Sequence, residues 1–204
     1  MMIIIIDYGL GNLTSIKNAL KLLNIDCEIS RDLEKIRNAD KLILPGVGAF
    51  KEGMENLKKF NLIKTLNEEV INKKKPILGI CLGMQLMCAK SYEGGESNGL
   101  GWIDADVVKF EDKELRIPHV GWNDVKCDLV SPLLKGGENM QTFYFVHSFY
   151  LKPTDNKITK GTCNYGIDFC AIMEKENIFA TQFHPEKSQT EGLEILKKFN
   201  KIKC

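Results

Sequence analysis

Residues 79–85 read Gly-Ile-Cys-Leu-Gly-Met-Gln, a cysteine with a glycine two positions before it and another two positions after. An apolar run, Ile77-Leu78-Gly79-Ile80, leads into Cys81, and a second apolar segment follows it. G-x-C-x-G is the sulfur counterpart of the strand-to-helix elbow that exposes a nucleophile, where small neighbours give a tight turn its backbone clearance. Such a turn puts the thiol at a helix N-terminus, where free N–H groups favour the thiolate. It also offers the Leu82 N–H as an oxyanion donor. An isolated G-x-C-x-G describes a buried cysteine beside a packing glycine equally well. Phe183-His184-Pro185-Glu186 breaks that tie. A strand should end at His184, Pro185 stops it, and Glu186 stands close enough to orient the imidazole. A cysteine nucleophile needs a base, and the base needs a third group to fix its tautomer. Pro45-Gly46-Val47-Gly48 is the third element: its two glycines let bare backbone approach a ligand and aim N–H groups at a developing oxyanion. No Lys-Ser/Thr follows at the spacing of a phosphate loop.

The elements that must hold these residues follow from hydrophobic periodicity. Residues 2–6 are a β-branched strand, and Ile16, Ala19, Leu20 and Leu23 mark one face of a helix. Leu42-Ile43-Leu44 reads as the second strand, and Leu62, Leu66 and Val70 stripe a later helix ending in Lys73-Lys74-Lys75, read as a solvated helix end. Cys88 is placed on the same helix as Cys81, in a packing role. From about residue 105 period-two stretches take over: Val107–Phe110, Phe143–His147, Cys170–Met173 and Ile178–Phe183, the last two separated by a charged turn. A final helix from about Thr190 buries Leu193, Leu196 and Phe199. Strand–helix alternation implies an α/β fold, a mostly parallel sheet flanked by helices, with added antiparallel hairpins. One domain over 1–204 is expected, with no internal repeat or linker.

Composition sets the bounds. In 204 residues, Lys+Arg 28 against Asp+Glu 27 leaves a formal charge of +1, which argues against bulk binding to nucleic acid or an anionic membrane. No segment approaches the ~20 apolar residues of a membrane span, and the apolar opening lacks a basic n-region. Seven cysteines without a C-x-x-C pair point to free thiols in a reducing cytoplasm. The three histidines, His119, His147 and His184, are too scattered for local metal-ligand spacing, so no metal or cofactor is expected.

Taken together, Pro45–Gly48, Gly79–Gln85 and His184-Pro185-Glu186 resemble the class I (triad-type) glutamine amidotransferases. Asp7-Tyr8-Gly9-Leu10-Gly11-Asn12, Pro118-His119-Val120-Gly121-Trp122-Asn123, Tyr144–Ser148 and His184–Ser188 extend the likeness to the glutaminase subunits of imidazole glycerol phosphate synthase. The resemblance covers essentially the whole chain and implies a flavodoxin-like core. It implies that Cys81 attacks the side-chain amide of glutamine, that His184 serves as acid and base, and that Glu186 holds His184. It further implies an oxyanion hole from the backbone of Gly46, Val47, Gly48 and Leu82. Gln85, Glu93, His147 and Ser148 match positions that hold glutamine, and Asn12, Trp122, Tyr144 and Lys187 match positions that line the interface with a (β/α)8-barrel cyclase, forming a heterodimer. Trp122 also suits a core and Lys187 a solvated loop, while His119 reads as structural or interfacial. The remaining cysteines have packing or surface roles, Cys204 an exposed one. Two alternatives stay open: a paralogous glutaminase feeding another acceptor, as in amidation of a surface sugar, and a non-catalytic protein on the same scaffold, against which the intact triad argues.

Overall fold

The computed structural model describes residues 1–111, 114–134 and 136–203; Cys204 lies outside them. In chain order the first half runs β1 (Ile3–Ile6), α1 (Leu13–Leu22), β2 (Cys27–Ser30), α2 (Leu33–Asn38), β3 (Lys41–Leu44), α3 (Phe50–Lys59), α4 (Leu62–Asn67), β4 (Ile77–Ile80) and α5 (Leu82–Leu86). The second half adds β5 (Cys88–Ser91), β6 (Ser97–Asn98), β7 (Ile103–Lys109), β8 (His119–Cys127), β9 (Met140–His147), β10 (Phe149–Pro153), β11 (Thr159–Tyr165), β12 (Ile167–Lys175), β13 (Ile178–Thr181) and α6 (Gln189–Lys201).

Five strands in the order β2-β1-β3-β4-β13 pair in parallel. Every residue of β1, β3, β4 and β13 is buried, which is why these segments are apolar runs, interrupted only by Lys41 and Thr181 at strand ends, rather than alternating ones. Successive side chains still go to opposite faces. Ile3 and Ile5 join Ile16, Leu20, Leu196 and Phe199 under α1 and α6, while Ile4 and Ile6 join Leu57, Leu66 and Leu82 on the other side. Beyond β13 the pairing turns antiparallel through β12, β10 and β7, and β11, β8 and β9 continue from β12. The expected α/β architecture with added hairpins is therefore present. Tyr8, Pro45, Cys81 and His184 all follow the carboxyl ends of parallel strands, the edge at which open α/β sheets bind ligands.

Several local expectations are corrected. Leu42–Leu44 belongs to the third strand, because Cys27–Ser30 forms a half-buried edge strand without an apolar run to announce it. Cys88 opens β5 instead of continuing a helix: the carbonyls of Leu86, Met87 and Cys88 accept from the backbone of residues 100–103. Leu193 of α6 is only partly buried, its place in the core taken by Ile195. The three lysines are not simply a solvated end. After α4 the helix widens into a π-helical turn over Glu68–Asn72 that turns Glu69 inward, 1% exposed. Lys73 and Lys75 bind its two oxygens at 2.8 and 2.9 Å, and Lys74 pairs with Glu176 at 2.7 Å. Burial pushes the Glu69 carboxyl up, but the two ammonium groups outweigh it and hold it below its ordinary value. Among the described residues, no helix is long and apolar enough to cross a membrane.

Candidate active site

Cys81 sits at the turn between β4 and α5 with φ 53° and ψ −107°, a left-handed conformation rare for a residue with a Cβ. The surroundings over-determine it. Its N–H donates to the Thr181 carbonyl at 2.8 Å. The two flanking glycines have clear reasons: a Cβ on Gly79 would lie 2.9 Å from the Met84 nitrogen, and one on Gly83 would lie 1.8 Å from the Leu44 carbonyl oxygen. The elbow thus wedges against the ends of β3 and β4. The helix that follows is only five residues long, so its dipole is weaker than the sequence suggests.

His184 is 2% exposed, and its Nδ1 lies 2.9 Å from Glu186 Oε1, itself on a side chain 1% exposed. A carboxylate only accepts, so Nδ1 carries the proton and Nε2 is the basic nitrogen. That Nε2 is buried without a hydrogen-bond partner among the described residues. Burial is the largest single influence on His184 and lowers its pKa, yet Cys81 and Glu186 together override it and raise the value to about 10. The Cys81 and His184 side chains therefore act on each other. The sulfur itself lies 3.8 Å from the Val146 carbonyl and 3.7 Å from Gln182 Nε2.

The sulfur opens onto a cavity of about 220 Å3 lined by Val47, Gly48, Leu82, Gln85, Glu93, His147 and Ser148 among others. This is below the roughly 300–1,000 Å3 of drug-sized sites and suits a molecule the size of an amino acid. The structure thus brings every sequence-derived ligand candidate to one cavity, but in differing states. Glu93 accepts from the Phe50 N–H at 2.8 Å, which ties it to the start of α3 just beyond the Pro45–Gly48 loop. Gln85 Nε2 donates to the Phe149 carbonyl at 3.0 Å and to Gln182 Oε1 at 3.1 Å. His147 has both ring nitrogens engaged inside the protein, with Phe149 O at 2.8 Å and His119 Nδ1 at 3.0 Å, so its ring shapes the cavity without a free nitrogen to offer.

The oxyanion candidates are closed in this conformation. The Leu82 N–H faces the Gly46 carbonyl at 3.4 Å. A trans peptide points its C=O and N–H in opposite directions, so the Val47 N–H faces away from Leu82. Tyr8, which carried the sequence likeness but no role, packs beneath this loop. Its hydroxyl donates to the Pro45 carbonyl at 2.6 Å and fills the space a Gly46 Cβ would need, 2.3 Å from it.

Three of the four partner-facing candidates, Trp122, Tyr144 and Lys187, lie together. Trp122 is 48% exposed, which excludes the core reading, and meets Tyr144 edge to face at 6.0 Å between centroids. Lys187 Nζ lies 5.8 Å over the Tyr144 ring. Asn12 is exposed and caps α1 by accepting from the Ser15 N–H at 3.2 Å. Tyr144 also anchors His184: its carbonyl accepts from the His184 N–H at 3.0 Å, and its N–H donates to Ser188 Oγ, which donates to the His184 carbonyl at 2.7 Å. Ser188 and Gln182 were missed as site residues; each is a fully buried polar side chain within four positions of His184. Among the described residues no group of His, Cys, Asp and Glu could hold a metal ion.

A model of the family described as glutamine amidotransferase class-I matches residues 4–202. The imidazole glycerol phosphate synthase subunit HisH 1 of Campylobacter jejuni (strain 81-176) is 50% identical over 202 residues, covering 98% of this chain and 100% of its own. The corresponding subunit HisH 2 of Pseudomonas aeruginosa is 47% identical over 199 residues, covering 97% and 98%. Among solved structures, one described as a glutamine amidotransferase superposes with a TM-score of 0.77 at 18% identity over 97% of both chains. PurLQS from Thermotoga maritima gives 0.75 at 15% identity over 98% and 97%. Those two likenesses speak to the fold, and the family model and the near-complete sequence matches to more: this chain belongs to the class I glutamine amidotransferases, among the imidazole glycerol phosphate synthase HisH subunits.

Proposed function

We propose that this protein is a cytoplasmic, single-domain glutaminase that hydrolyses glutamine to glutamate and ammonia. Ammonia then passes to a separate (β/α)8-barrel cyclase that makes imidazole glycerol phosphate and AICAR in histidine biosynthesis. The observation that carries the reading is a strained cysteine beside a histidine buried against a carboxylate, at the mouth of a cavity of amino-acid size. The Cys81 sulfur adds to the amide carbon of glutamine, giving a tetrahedral oxyanion. His184, as imidazolium, protonates the leaving nitrogen, and a γ-glutamyl thioester remains. Water, its proton taken by the same Nε2, adds to the thioester; collapse breaks the C–S bond and returns the proton to the thiolate or its partner. Glu186 holds the His184 tautomer through both halves. Glu93 supplies negative charge for the α-ammonium, while Gln85, the β9–β10 backbone around Ser148 and the wall formed by His147 complete the seat.

The resting oxyanion hole explains how such an enzyme avoids releasing ammonia to no purpose. With a carbonyl where an anion must form, the transition state meets repulsion instead of N–H donors; one donor is worth about 10²–10³ in kcat. Rotation of the Gly46–Val47 peptide would exchange the carbonyl for the Val47 N–H. Glycines at 46 and 48 make that rotation sterically cheap on the chain side. The face carrying Trp122, Tyr144 and Lys187 fits the partner contact, since Tyr144 is bonded to the His184–Ser188 segment. Glutamate release measured with and without the barrel subunit tests the reading. Strong stimulation by a barrel with its acceptor bound, abolished by Cys81→Ala, is expected, and a Cys81→Ala variant that still hydrolyses glutamine would sink it.

A second reading keeps the chemistry and changes the acceptor, as in amidation of a surface sugar. The relatives carry copy numbers, HisH 1 and HisH 2, consistent with organisms that hold more than one such subunit. Histidine auxotrophy of a deletion strain separates the two.

A further inference from the structure

Gln182 lies between the end of β13 and His184, fully buried, with its carboxamide against the nucleophile. Which end of that amide faces sulfur follows from one fixed reference. The Phe149 carbonyl can only accept, so the Gln85 atom 3.0 Å from it is the NH2 group. The other hydrogen of that NH2 points at Gln182, 3.1 Å away, so the near atom there is the oxygen. The Gln182 NH2 is then the end 3.7 Å from Cys81 Sγ. The same carbonyl orients a second branch. His147 Nδ1, 2.8 Å from it, must carry hydrogen, which leaves Nε2 of the neutral ring to accept from His119 Nδ1 at 3.0 Å. His119 Nε2 in turn accepts from Asn123 Nδ2 at 3.3 Å, and the His119 ring is stacked between Tyr165 and Phe145 at 4.0 and 4.8 Å. One backbone oxygen thus sets two carboxamides and two imidazoles.

We infer that Gln182 is a further catalytic residue, its side-chain N–H donating to the Cys81 sulfur as negative charge builds there, with Gln85 preventing the amide from turning its oxygen toward the thiolate. The inference rests on the reading of Cys81 as the nucleophile. When the sulfur carries a proton, the Val146 carbonyl at 3.8 Å is its acceptor. Deprotonation turns that contact repulsive, while the Gln182 contact strengthens, because a hydrogen bond to an ionised acceptor is about twice as strong as a neutral one. The ionisable groups coupled to the sulfur are His184, with Glu186 behind it, and Tyr8, while the charge of His184 adds to the lowering of His147. Burial drives His147 down to about 3 and His119 to about 4, so both rings are neutral under ordinary conditions and leave the hydrogen-bond directions intact.

The test is alkylation of the full-length protein by iodoacetamide at pH 6, with the Cys81 and Cys27 peptides followed by mass spectrometry. Gln182→Met removes the donor at similar volume and should slow Cys81 labelling about three- to fourfold: the low end for a hydrogen bond to a charged atom is about tenfold in thiolate, of which higher intrinsic nucleophilicity returns about threefold. Gln182→Glu, which sets a carboxylate against the sulfur, should slow it further. Loss of thiolate outweighs the gain in intrinsic nucleophilicity, since the Brønsted coefficient is only about 0.4–0.5. Half-buried Cys27, on the edge strand β2, should react at its wild-type rate and reports an intact fold. Wild-type labelling of Cys81 in both variants, with Cys27 unchanged, overturns the inference. If the variants do not fold, side-chain amide NMR of the wild-type protein decides: a Gln182 NH2 signal that shifts on alkylation of Cys81 supports the inference, and one that stays in place overturns it. Failure of the nucleophile reading has its own signature, glutamine hydrolysis by Cys81→Ala.

Discussion

Gly83→Ala is the sharpest perturbation of the elbow, because it touches neither the sulfur nor the cavity. Gly83 has ordinary helical geometry, so alanine costs nothing in backbone conformation and helps helix propensity by ~1 kcal/mol. What it cannot do is fit. The new Cβ would stand 1.8 Å from the Leu44 carbonyl oxygen and 2.7 Å from the Leu44 carbonyl carbon, both backbone atoms at the end of a fully buried strand. Neither can swing aside as a side chain would, so α5 must back away from β3 by about 1 Å or more. Cys81 lies two residues upstream in a constrained conformation and moves with it, and a misplacement of ~1 Å is worth about 100-fold in rate. Glutamate release, assayed with the barrel subunit present, should therefore fall at least that far. Overpacking should cost about 1–3 kcal/mol of stability, leaving the protein folded but with a lower Tm. Gly53→Ala is the control: its Cβ would press only on the flexible Leu86 side chain, 3.0 Å away, and most activity should survive. A folded Gly83→Ala protein with wild-type turnover would refute the reasoning, since close packing against Leu44 would then not be what places the nucleophile.

Two further perturbations act away from the elbow. Trp122→Ala should weaken barrel binding by about 2 kcal/mol, roughly 30-fold in Kd, as truncation of an exposed aromatic anchor does; titration by calorimetry checks this, and unchanged affinity would remove Trp122 from the interface. Acid should destabilise the fold through His119 and His147, whose folded values of about 4 and 3 lie below the ordinary histidine value. Each stays neutral in the native state while the unfolded chain binds a proton. The stability they contribute is complete above about pH 6.5 and declines as pH falls toward 4 and 3, with a slope approaching about 1.4 kcal/mol per pH unit for each ring. His184 works in the opposite window, its raised value giving stability present below about pH 6.5 and lost as pH rises toward 10, so it does not mask the acid effect. Urea midpoints that do not change between about pH 7 and pH 5 would contradict the neutral histidine pair.

What could be seen in the sequence and what could not divides along physical lines. The parallel strands were legible because burial on both faces writes an uninterrupted apolar run, as in Ile3–Ile6 and Ile77–Ile80. The elbow was legible because Gly79, Cys81 and Gly83 fall within five residues of chain, although Gly83 answers to the Leu44 carbonyl, far away in sequence. Edge strand β2 left no such mark, being half-buried throughout, and the helix expected through Cys88 ended early because carbonyls of 86–88 found partners some fifteen residues downstream. Glu69 and its lysines show the same limit, since a π-helical turn that carries a carboxylate inward has no period of its own. Hydrogen-bond direction was the least legible property of all. Gln182 and His119 are ordinary letters until a single carbonyl, that of Phe149, fixes which of their atoms donate.

The Gly46 loop carries this limit into function. Its glycines were read as a means of bringing bare N–H groups to an oxyanion, and the same lack of side chains permits the opposite orientation, with the carbonyl turned in against the Leu82 N–H. Tyr8 below and Leu82 beside leave no room for a Cβ at position 46, so the loop is closely packed around a peptide whose two orientations differ in the sign of the charge they present. The Tyr8 hydroxyl holds the Pro45 carbonyl and Glu93 holds the Phe50 N–H, so both ends of the loop are anchored while the peptide between them stays free of side-chain restraint. A segment pinned at its ends and bare in the middle changes state by rotating one peptide rather than by moving as a body. On the proposed function, substrate at Glu93 and a partner near Tyr144 need bias only that rotation to turn a repulsive site into an attractive one.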